Sequence, residues 1–213
     1  MTDPQPPAEP ERIPLTLADP SRRRGCVTVA VALLFGAAVG GVVGLIFGQT
    51  PGLVTAAVVA GTLALLTWMT ARRRIWLQGT RVVAETIGSK IVDLRVVERL
   101  DLLVTDVRGV RTVGLLVGAK GKSINIALAA YSGTGGRELG ILALRRLADA
   151  LAGSENTSGL VFSQLLVAQL RAEARGEAAP ERPLFQLASV APQGKLAQRL
   201  RTEAITKFVA NLP

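Results

Sequence analysis

The sequence predicts a membrane α-helical hairpin followed by an α+β cytoplasmic domain. Two apolar runs, Cys26 to Phe47 and Leu53 to Met69, contain no charged residue. Each run approaches the roughly 20 residues that a helix needs to cross a bilayer. Short β-rich segments joined by turns follow, and a segment of helical periodicity comes after them. These observations divide the chain into a tail (1–21), a hairpin (22–74), a sheet-and-helix domain (75–153) and a helical tail (154–213).

Two spanning helices are predicted at about 26–47 and 53–70. The segment from Gly48 to Gly52 predicts a tight turn between them, because Thr50-Pro51-Gly52 has turn-forming composition. Arginine triplets flank the pair and should lie near lipid headgroups: Arg22, Arg23, Arg24, Arg72, Arg73 and Arg74. Since basic flanks stay on the cytoplasmic side, we expect a plasma (inner) membrane protein with both termini cytoplasmic. A cleavable signal peptide is the alternative for the first run, but its core would be shorter.

Glycines recur every fourth residue along the first predicted helix, at Gly36, Gly40, Gly44 and Gly48. This spacing forms one stripe along which another helix can approach closely. The favoured interpretation is that the stripe packs the hairpin on itself. The alternative is that it joins separate chains into a homo-oligomeric assembly or a small pore.

Composition narrows the class of protein. The 213 residues carry a formal net charge of +9, and six of the 25 Lys and Arg residues belong to the two triplets. A lipid bilayer therefore explains the charge better than nucleic acid, for which aromatic stacking platforms are also lacking. With no His and one Cys, a disulfide framework and a Cys-based zinc cluster are excluded. We expect no catalytic residues, no metal, no cofactor and no enzyme.

The N-terminal segment 1–21 is rich in Pro and acidic residues, which predicts a mobile tail. After Arg74 the segment 75–85 is β-rich, 87–90 forms a turn and 91–94 a short strand. The segment 94–100 is either a helical turn or a continuation of that strand. Strands at 102–107, 110–117 and 123–128, joined by tight turns, predict an antiparallel meander of about five strands in total. A helix at about 136–151 closes the domain.

This order resembles the bacterial pleckstrin-homology-like (PH-like) domains of small actinobacterial membrane proteins. The residues that carry the resemblance are Trp76-Leu77-Gln78-Gly79-Thr80, Val92-Asp93-Leu94, the strands from Leu102 to Leu128 and the helix from Leu139 to Ala148. The resemblance covers about a third of the chain and rests on hydrophobic patterns. It implies a curved antiparallel sheet capped by one C-terminal helix, and it brings no catalytic residues.

The C-terminal tail is predicted to be helical. One helix runs from about Leu160 to Arg175. A second, from Lys195 to Leu212, places apolar residues on one face and basic residues off it. Such a helix either lies on a membrane surface or, as we favour, packs its apolar stripe on a neighbouring domain or partner chain.

One motif suggests phosphate binding. Gly118-Ala119-Lys120-Gly121-Lys122-Ser123 ends like a P-loop, but Leu116 stands where its first glycine belongs and the following residues alternate like a strand. We therefore favour a basic hairpin turn. Four basic residues near the predicted turns form a candidate surface for anionic headgroups or an acidic partner: Arg108, Arg111, Lys120 and Lys122.

The predicted function is a non-enzymatic interaction or scaffold module tethered to the inner leaflet. Its expected partners are the bilayer and other membrane or cytoplasmic proteins. An exposed sheet edge, or the groove beside the closing helix, is the expected capture site for a peptide or another subunit.

Overall fold

The computed structural model describes residues 11–17, 22–71, 74–86, 88–190, 197–200 and 202–211, although it leaves the side chains of 22–29 and 67–71 undescribed. The chain divides into two compact units. One is built around a pair of helices, which we call the helical hairpin. The other is built around two sheets, which we call the sheet domain.

The helical hairpin consists of α1 (Arg22–Phe47) and α2 (Gln49–Ala71). Both helices are long and apolar enough to cross a membrane, by length and composition. The predicted five-residue turn is wrong, because Gly48 alone separates the helices. Gly48 has φ of +95°, a conformation that favours glycine. Pro51 lies in the first turn of α2, where its missing N–H costs no helical hydrogen bond.

Glycine and alanine bring the two helices into close contact. A Cβ added to Gly36 would lie 2.8 Å from the Cβ of Ala60. A Cβ added to Gly40 would overlap the Cβ of Ala56 and come within 2.6 Å of the carbonyl oxygen of Gly52. The hairpin therefore packs backbone against backbone, and its large side chains face outward.

The first sheet of the sheet domain contains β1 (Arg12–Pro14), β2 (Arg74–Gln78), β3 (Arg81–Glu85) and β4 (Ser89–Asp93), in that order. Strand β1 pairs antiparallel with β2, with Ile13 opposite Leu77. This corrects the predicted mobile tail at Arg12–Pro14. The reason is an alternating apolar pair, since Ile13 and Leu15 are both buried in the core.

The second sheet has the order β8-β7-β6-β5-β9 and is antiparallel. Its strands are β5 (Arg99–Val107), β6 (Val110–Ala119), β7 (Lys122–Ser132), β8 (Gly135–Glu138) and β9 (Gln198–Leu200). The predicted meander is confirmed, but its count of about five strands is too low. Within the described residues, seven strands, β2 to β8, lie between Arg74 and Gly153, and β1 and β9 join the two sheets from outside that range. The segment 94–100 forms neither a helix nor one continuous strand, because a turn separates β4 from β5.

The helices of this domain are α3 (Ile141–Ala152), α4 (Thr157–Ala174), α5 (Pro183–Val190) and α6 (Thr202–Ala210), with a 3-10 turn at Ala179–Glu181. Helix α3 begins later than predicted, because Gly135–Glu138 forms β8. The last predicted helix is also shorter, since Gln198–Leu200 forms β9.

The C-terminal segment is part of the sheet domain and not a separate appendage. Helix α3 contacts β1 and β2, and α4 packs on α3. Phe162, Leu184 and Ile205, from α4, α5 and α6, are fully buried in the same hydrophobic core as the strands. Helices α4, α5 and α6, which the sequence placed in a tail, thus complete the core that the strands begin.

Candidate functional site

A cavity of about 650 Å³ opens in the sheet domain beside α5. It lies at the end of the second sheet where β5 turns into β6, and α5 forms its other wall. The residues that line it are Asp106, Gly109, Arg111, Tyr131, Gly133, Phe185, Ala188 and Ser189. The cavity is therefore partly aromatic and partly charged.

The charged wall is a cross-strand ion pair. Asp106 on β5 lies directly opposite Arg111 on β6, and 3.7 Å separates the carboxylate Oδ2 from the guanidinium Nε. Arg111 also donates from Nη1 to the backbone oxygen of Ala188 at 3.3 Å. One arginine thus ties the sheet to α5. Both charged side chains are less than one-quarter exposed, so the pair is only partly screened by solvent.

The aromatic wall joins β7 to α5. The rings of Tyr131 and Phe185 meet edge to face, with centroids 5.0 Å apart and planes inclined by 73°. This is a favourable arrangement for two aromatic rings. Tyr131 lines the cavity but is only 2% exposed, so its ring is almost entirely buried.

Behind the aromatic wall, a polar cluster fastens the start of α5. The Tyr131 hydroxyl donates to Glu138 Oε1 at 2.7 Å, and Arg182 Nη1 donates to Glu138 Oε2 at 2.6 Å. Arg182 Nε donates to the backbone oxygen of Glu177 at 2.9 Å. The fully buried Gln169 accepts from the backbone N–H of Leu184 at 3.0 Å. Gln169 therefore holds α5 directly, and the Arg182–Glu138 contact fixes the residue that precedes α5.

Electrostatics follow from this burial. Burial raises the pKa of Tyr131 far above its ordinary value, and the negative charge of Glu138 raises it further. For Arg182, burial would lower the pKa, but the hydrogen bond and charge of Glu138 outweigh it and the pKa is raised. The tyrosine therefore stays neutral and the arginine stays charged at physiological pH. Tyr131 acts as a hydrogen-bond donor here and not as a base.

The structure does not bring the four predicted basic residues together. Arg108 and Arg111 lie at the start of β6, whereas Lys120 and Lys122 lie at its far end. A ten-residue strand spans roughly 30 Å, which separates the two pairs. Only Arg111 belongs to the cavity. The four residues therefore do not form one compact basic surface.

The structure supports the hairpin-turn interpretation of segment 118–123 over the P-loop alternative. Strand β6 ends at Ala119 and strand β7 begins at Lys122, so only Lys120 and Gly121 form the turn. A P-loop needs a helix after its GKS sequence, and here a strand follows. The favoured basic hairpin turn is confirmed.

The other predicted site residues belong to the helical hairpin and its flanks. Gly36, Gly40 and Gly44 face α2, and Gly48 forms the turn. Arg22, Arg23 and Arg24 form the first residues of α1, with undescribed side chains, while Arg74 begins β2 with an exposed side chain. Arg72 and Arg73 lie outside the described residues.

The sequence contained one signal for the cavity that our prediction missed. Asp106 and Arg111 flank the Arg108-Gly109 turn symmetrically, and a two-residue hairpin turn places such residues opposite each other. Phe185 gave no local signal, because it reaches Tyr131 across 53 intervening residues of sequence.

The chemistry of the cavity favours binding. Its aromatic wall suits an apolar side chain, and its Asp106–Arg111 pair suits a polar group beside it. In the described part of the chain, no three His, Cys, Asp or Glu side chains are grouped closely enough to hold a metal ion.

In comparisons with known proteins, no family model, no curated protein and no solved structure matches this chain.

Proposed function

We propose that this protein is a membrane-anchored cytoplasmic interaction module, in which two transmembrane helices hold the sheet domain at the inner leaflet. One observation carries the proposal. Large apolar side chains of α1 and α2 face outward, with Leu45 90% exposed and Phe47 and Leu53 each 72% exposed. Side chains exposed to this extent need an apolar surrounding, and a bilayer supplies one. The sheet domain, by contrast, has an apolar core of its own.

The two arginine triplets support the proposed orientation. One triplet precedes the first apolar run and the other follows the second, and Gly48, which separates the helices, carries no charge. Basic residues are retained on the cytoplasmic side. Both termini and the sheet domain would then be cytoplasmic.

Tethering is the proposed mechanism. Only two residues lie between the end of α2 at Ala71 and the start of β2 at Arg74. A short connection of this kind confines the sheet domain to the membrane surface and raises its effective concentration toward membrane-bound partners. The cavity beside α5 would receive a partner's side chain, and no catalytic step is involved.

The likeness to PH-like domains belongs to the same proposal. Antiparallel strands followed by α3, which contacts the first sheet, support it. The additional helices α4 to α6 go beyond the sheet and single closing helix that the resemblance implies.

The alternative, a homo-oligomeric assembly through the glycine stripe, has less support. Gly36 and Gly40 already contact α2 of the same chain. A second chain would have to displace α2 or use other residues.

Photo-crosslinking in intact cells tests the proposal. A photoreactive amino acid at Ser189, on the rim of the cavity, should give a discrete adduct with a partner protein. The same group at Leu160, an exposed position on α4, is the matched control and should give none. The full chain should also resist extraction from membranes by alkaline carbonate.

Three outcomes would contradict the proposal. Carbonate would release the protein, or Ser189 and Leu160 would label alike, or a reporter fused after Pro213 would be accessible only from outside the cell.

A further inference from the structure

Within the described residues, only part of the outer edge of β5 is paired with another strand. Strand β5 has nine residues and pairs with β6 along its whole length. On its other side, β9 pairs with only Leu102, Leu103 and Val104 within the described residues. An open strand edge is a ready template for another strand. Among the described residues, β5 is therefore covered on this side by the three-residue strand β9.

The covering strand fits its place poorly. Gln198 lies opposite Val104 and Leu200 opposite Leu102, and directly opposite residues share a face of the sheet. Val104 and Leu102 are buried in the core, so Gln198 is a polar residue on the core face. Its Oε1 is buried and has no hydrogen-bond partner in the part of the chain that the structure describes. A strand with an apolar residue at this position would pack better.

The middle residue of β9, Arg199, forms an ion pair with β5. Arg199 lies opposite Leu103 on the outer face, and its Nε is 3.6 Å from Asp101 Oδ2. The same carboxylate oxygen accepts from Arg99 Nε at 2.8 Å. The edge thus presents an acidic group that favours a basic residue at the centre of an incoming strand.

Strand β5 also contributes a residue, Asp106, to the cavity. Because β9 runs antiparallel, continuing its register by two residues beyond Gln198 reaches the position opposite Asp106. Asp106 lines the cavity. A longer strand on this edge would therefore place a side chain on the same face as Asp106, beside the cavity.

We infer that the outer edge of β5 binds an extended peptide of a partner protein, and that β9 is an internal occupant which this peptide displaces. At the positions of Gln198 and Leu200 the peptide carries apolar residues, with a basic residue between them. A further apolar residue stands two positions before that of Gln198, which is the position opposite Asp106. This inference rests on the proposed interaction function and names its site and the class of its partner. Main-chain pairing gives affinity, and the alternate side chains give specificity.

A labelled peptide tests the inference on the purified full chain in lipid nanodiscs. The probe is a synthetic copy of residues 194–202 with Q198V, followed by fluorescence anisotropy. Wild-type chain should bind it saturably. A control peptide that also carries R199E should bind about tenfold more weakly, because Asp101 then faces a like charge.

Two variants of the chain shift the competition in opposite directions. Gln198→Val in the chain strengthens the internal strand, so the probe should bind about tenfold more weakly while the thermal unfolding midpoint rises. Leu200→Ala weakens the internal strand, so the probe should bind more tightly. Equal binding to all three chains, or no saturable binding to the Leu200→Ala chain, would overturn the inference.

Further outcomes separate the inference from the proposed function. If the probe converts a dimer into monomers, the natural occupant is a second copy and the inference fails. If the Ser189 adduct forms in cells while no chain binds the probe, the inference fails and the interaction function stands. Loss of the Ser189 adduct with intact probe binding would contradict only the cavity contact of the proposed function.

Discussion

The helical hairpin and the sheet domain differ in which side chains they bury. In the hairpin, small residues such as Gly40 and Ala56 meet at the helix interface, and the large side chain of Leu45 is 90% exposed. In the sheet domain, large side chains such as Leu115 and Phe162 are fully buried. The difference is the one expected if the hairpin lies in a bilayer, as proposed, and the sheet domain in water. Water drives large apolar groups inward, whereas lipid removes that driving force and leaves close contact to hold the helices together.

The same substitution should therefore have very different effects in the two units. Leu115→Ala in β6 removes a side chain with no exposed surface and should lower the free energy of unfolding by about 3 kcal/mol. Leu45→Ala in α1 should change it by less than about 0.5 kcal/mol. Chemical unfolding of the full chain in mild detergent, followed by tryptophan fluorescence, measures both. Similar losses from the two variants would show that Leu45 is buried and would break the comparison.

A second pair of variants probes the interface of the hairpin. Gly40→Leu would force α1 away from Gly52 and Ala56 and should destabilise the hairpin by about 1–3 kcal/mol. Gly41→Leu adds the same atoms where the chain leaves open space and should be nearly neutral. The measurement is the midpoint of unfolding by sodium dodecyl sulfate, followed by helical circular dichroism. If Gly41→Leu proved the more damaging, the outer face of α1 would be the packed one.

A third prediction concerns the buried polar cluster of the sheet domain. Tyr131 is the only tyrosine of the chain, and burial together with Glu138 raises its pKa above the ordinary value of 10.0. The folded state therefore holds the phenolic proton more tightly than the unfolded state. This stabilises the fold fully below pH 10, and the contribution is lost as the pH rises through the folded pKa.

Tyrosinate absorbance during an alkaline titration measures this effect. In the wild type, ionisation of Tyr131 should coincide with unfolding. In a Glu138→Gln variant the neighbouring charge is gone, so the pKa of Tyr131 should fall, although burial still keeps it raised. Ionisation at the ordinary pKa in a fully folded wild type would mean that the Tyr131 hydroxyl is open to solvent.

The sequence predicted those parts of the structure that depend on local pattern. Each of these elements is recognisable from its own segment of sequence. They are the helices α1 and α2, the strands β5 to β7 and the turns at Arg108-Gly109 and Lys120-Gly121. The parts that it missed depend on distant pairing. Strand β1 pairs with β2, although both helices of the hairpin lie between them in the sequence. Strand β9 pairs with β5, which lies about 100 residues earlier in the sequence. A three-residue strand has too little periodicity to be recognised alone.

The candidate site shows the same division. Arg111 was singled out from the sequence, and it lines the cavity. Lys120 and Lys122 were grouped with it, but the length of β6 separates them from it, since Arg111 lies near the start of the strand and Lys120 follows its end. The contact of Tyr131 with Phe185 depends on how α5 packs on β7. No local pattern encodes that contact.

The smallest predicted effect concerns which residues occupy left-handed backbone conformations in the turns of the two units. The hairpin uses glycine at its turn, since Gly48 has φ of +95°, whereas the sheet domain places Lys120 at φ of +50°. A left-handed conformation costs a non-glycine residue roughly 1 kcal/mol, and Asn tolerates it better. Lys120→Asn should therefore stabilise the sheet domain, by up to about 1 kcal/mol. Gly48→Ala should destabilise the hairpin by a similar amount.

Lys122→Asn is the matched control for the lysine. It removes the same charge from the first residue of β7 but leaves the backbone conformation of the turn unchanged. Urea unfolding of the full chain in mild detergent should then show a gain for Lys120→Asn and almost none for Lys122→Asn. Equal changes from both would assign the effect to charge near Glu98, whose carboxylate accepts from the backbone N–H of Lys120. A gain at residue 120 alone would show that the sheet domain tolerates at its turn a conformational cost that the hairpin avoids with Gly48.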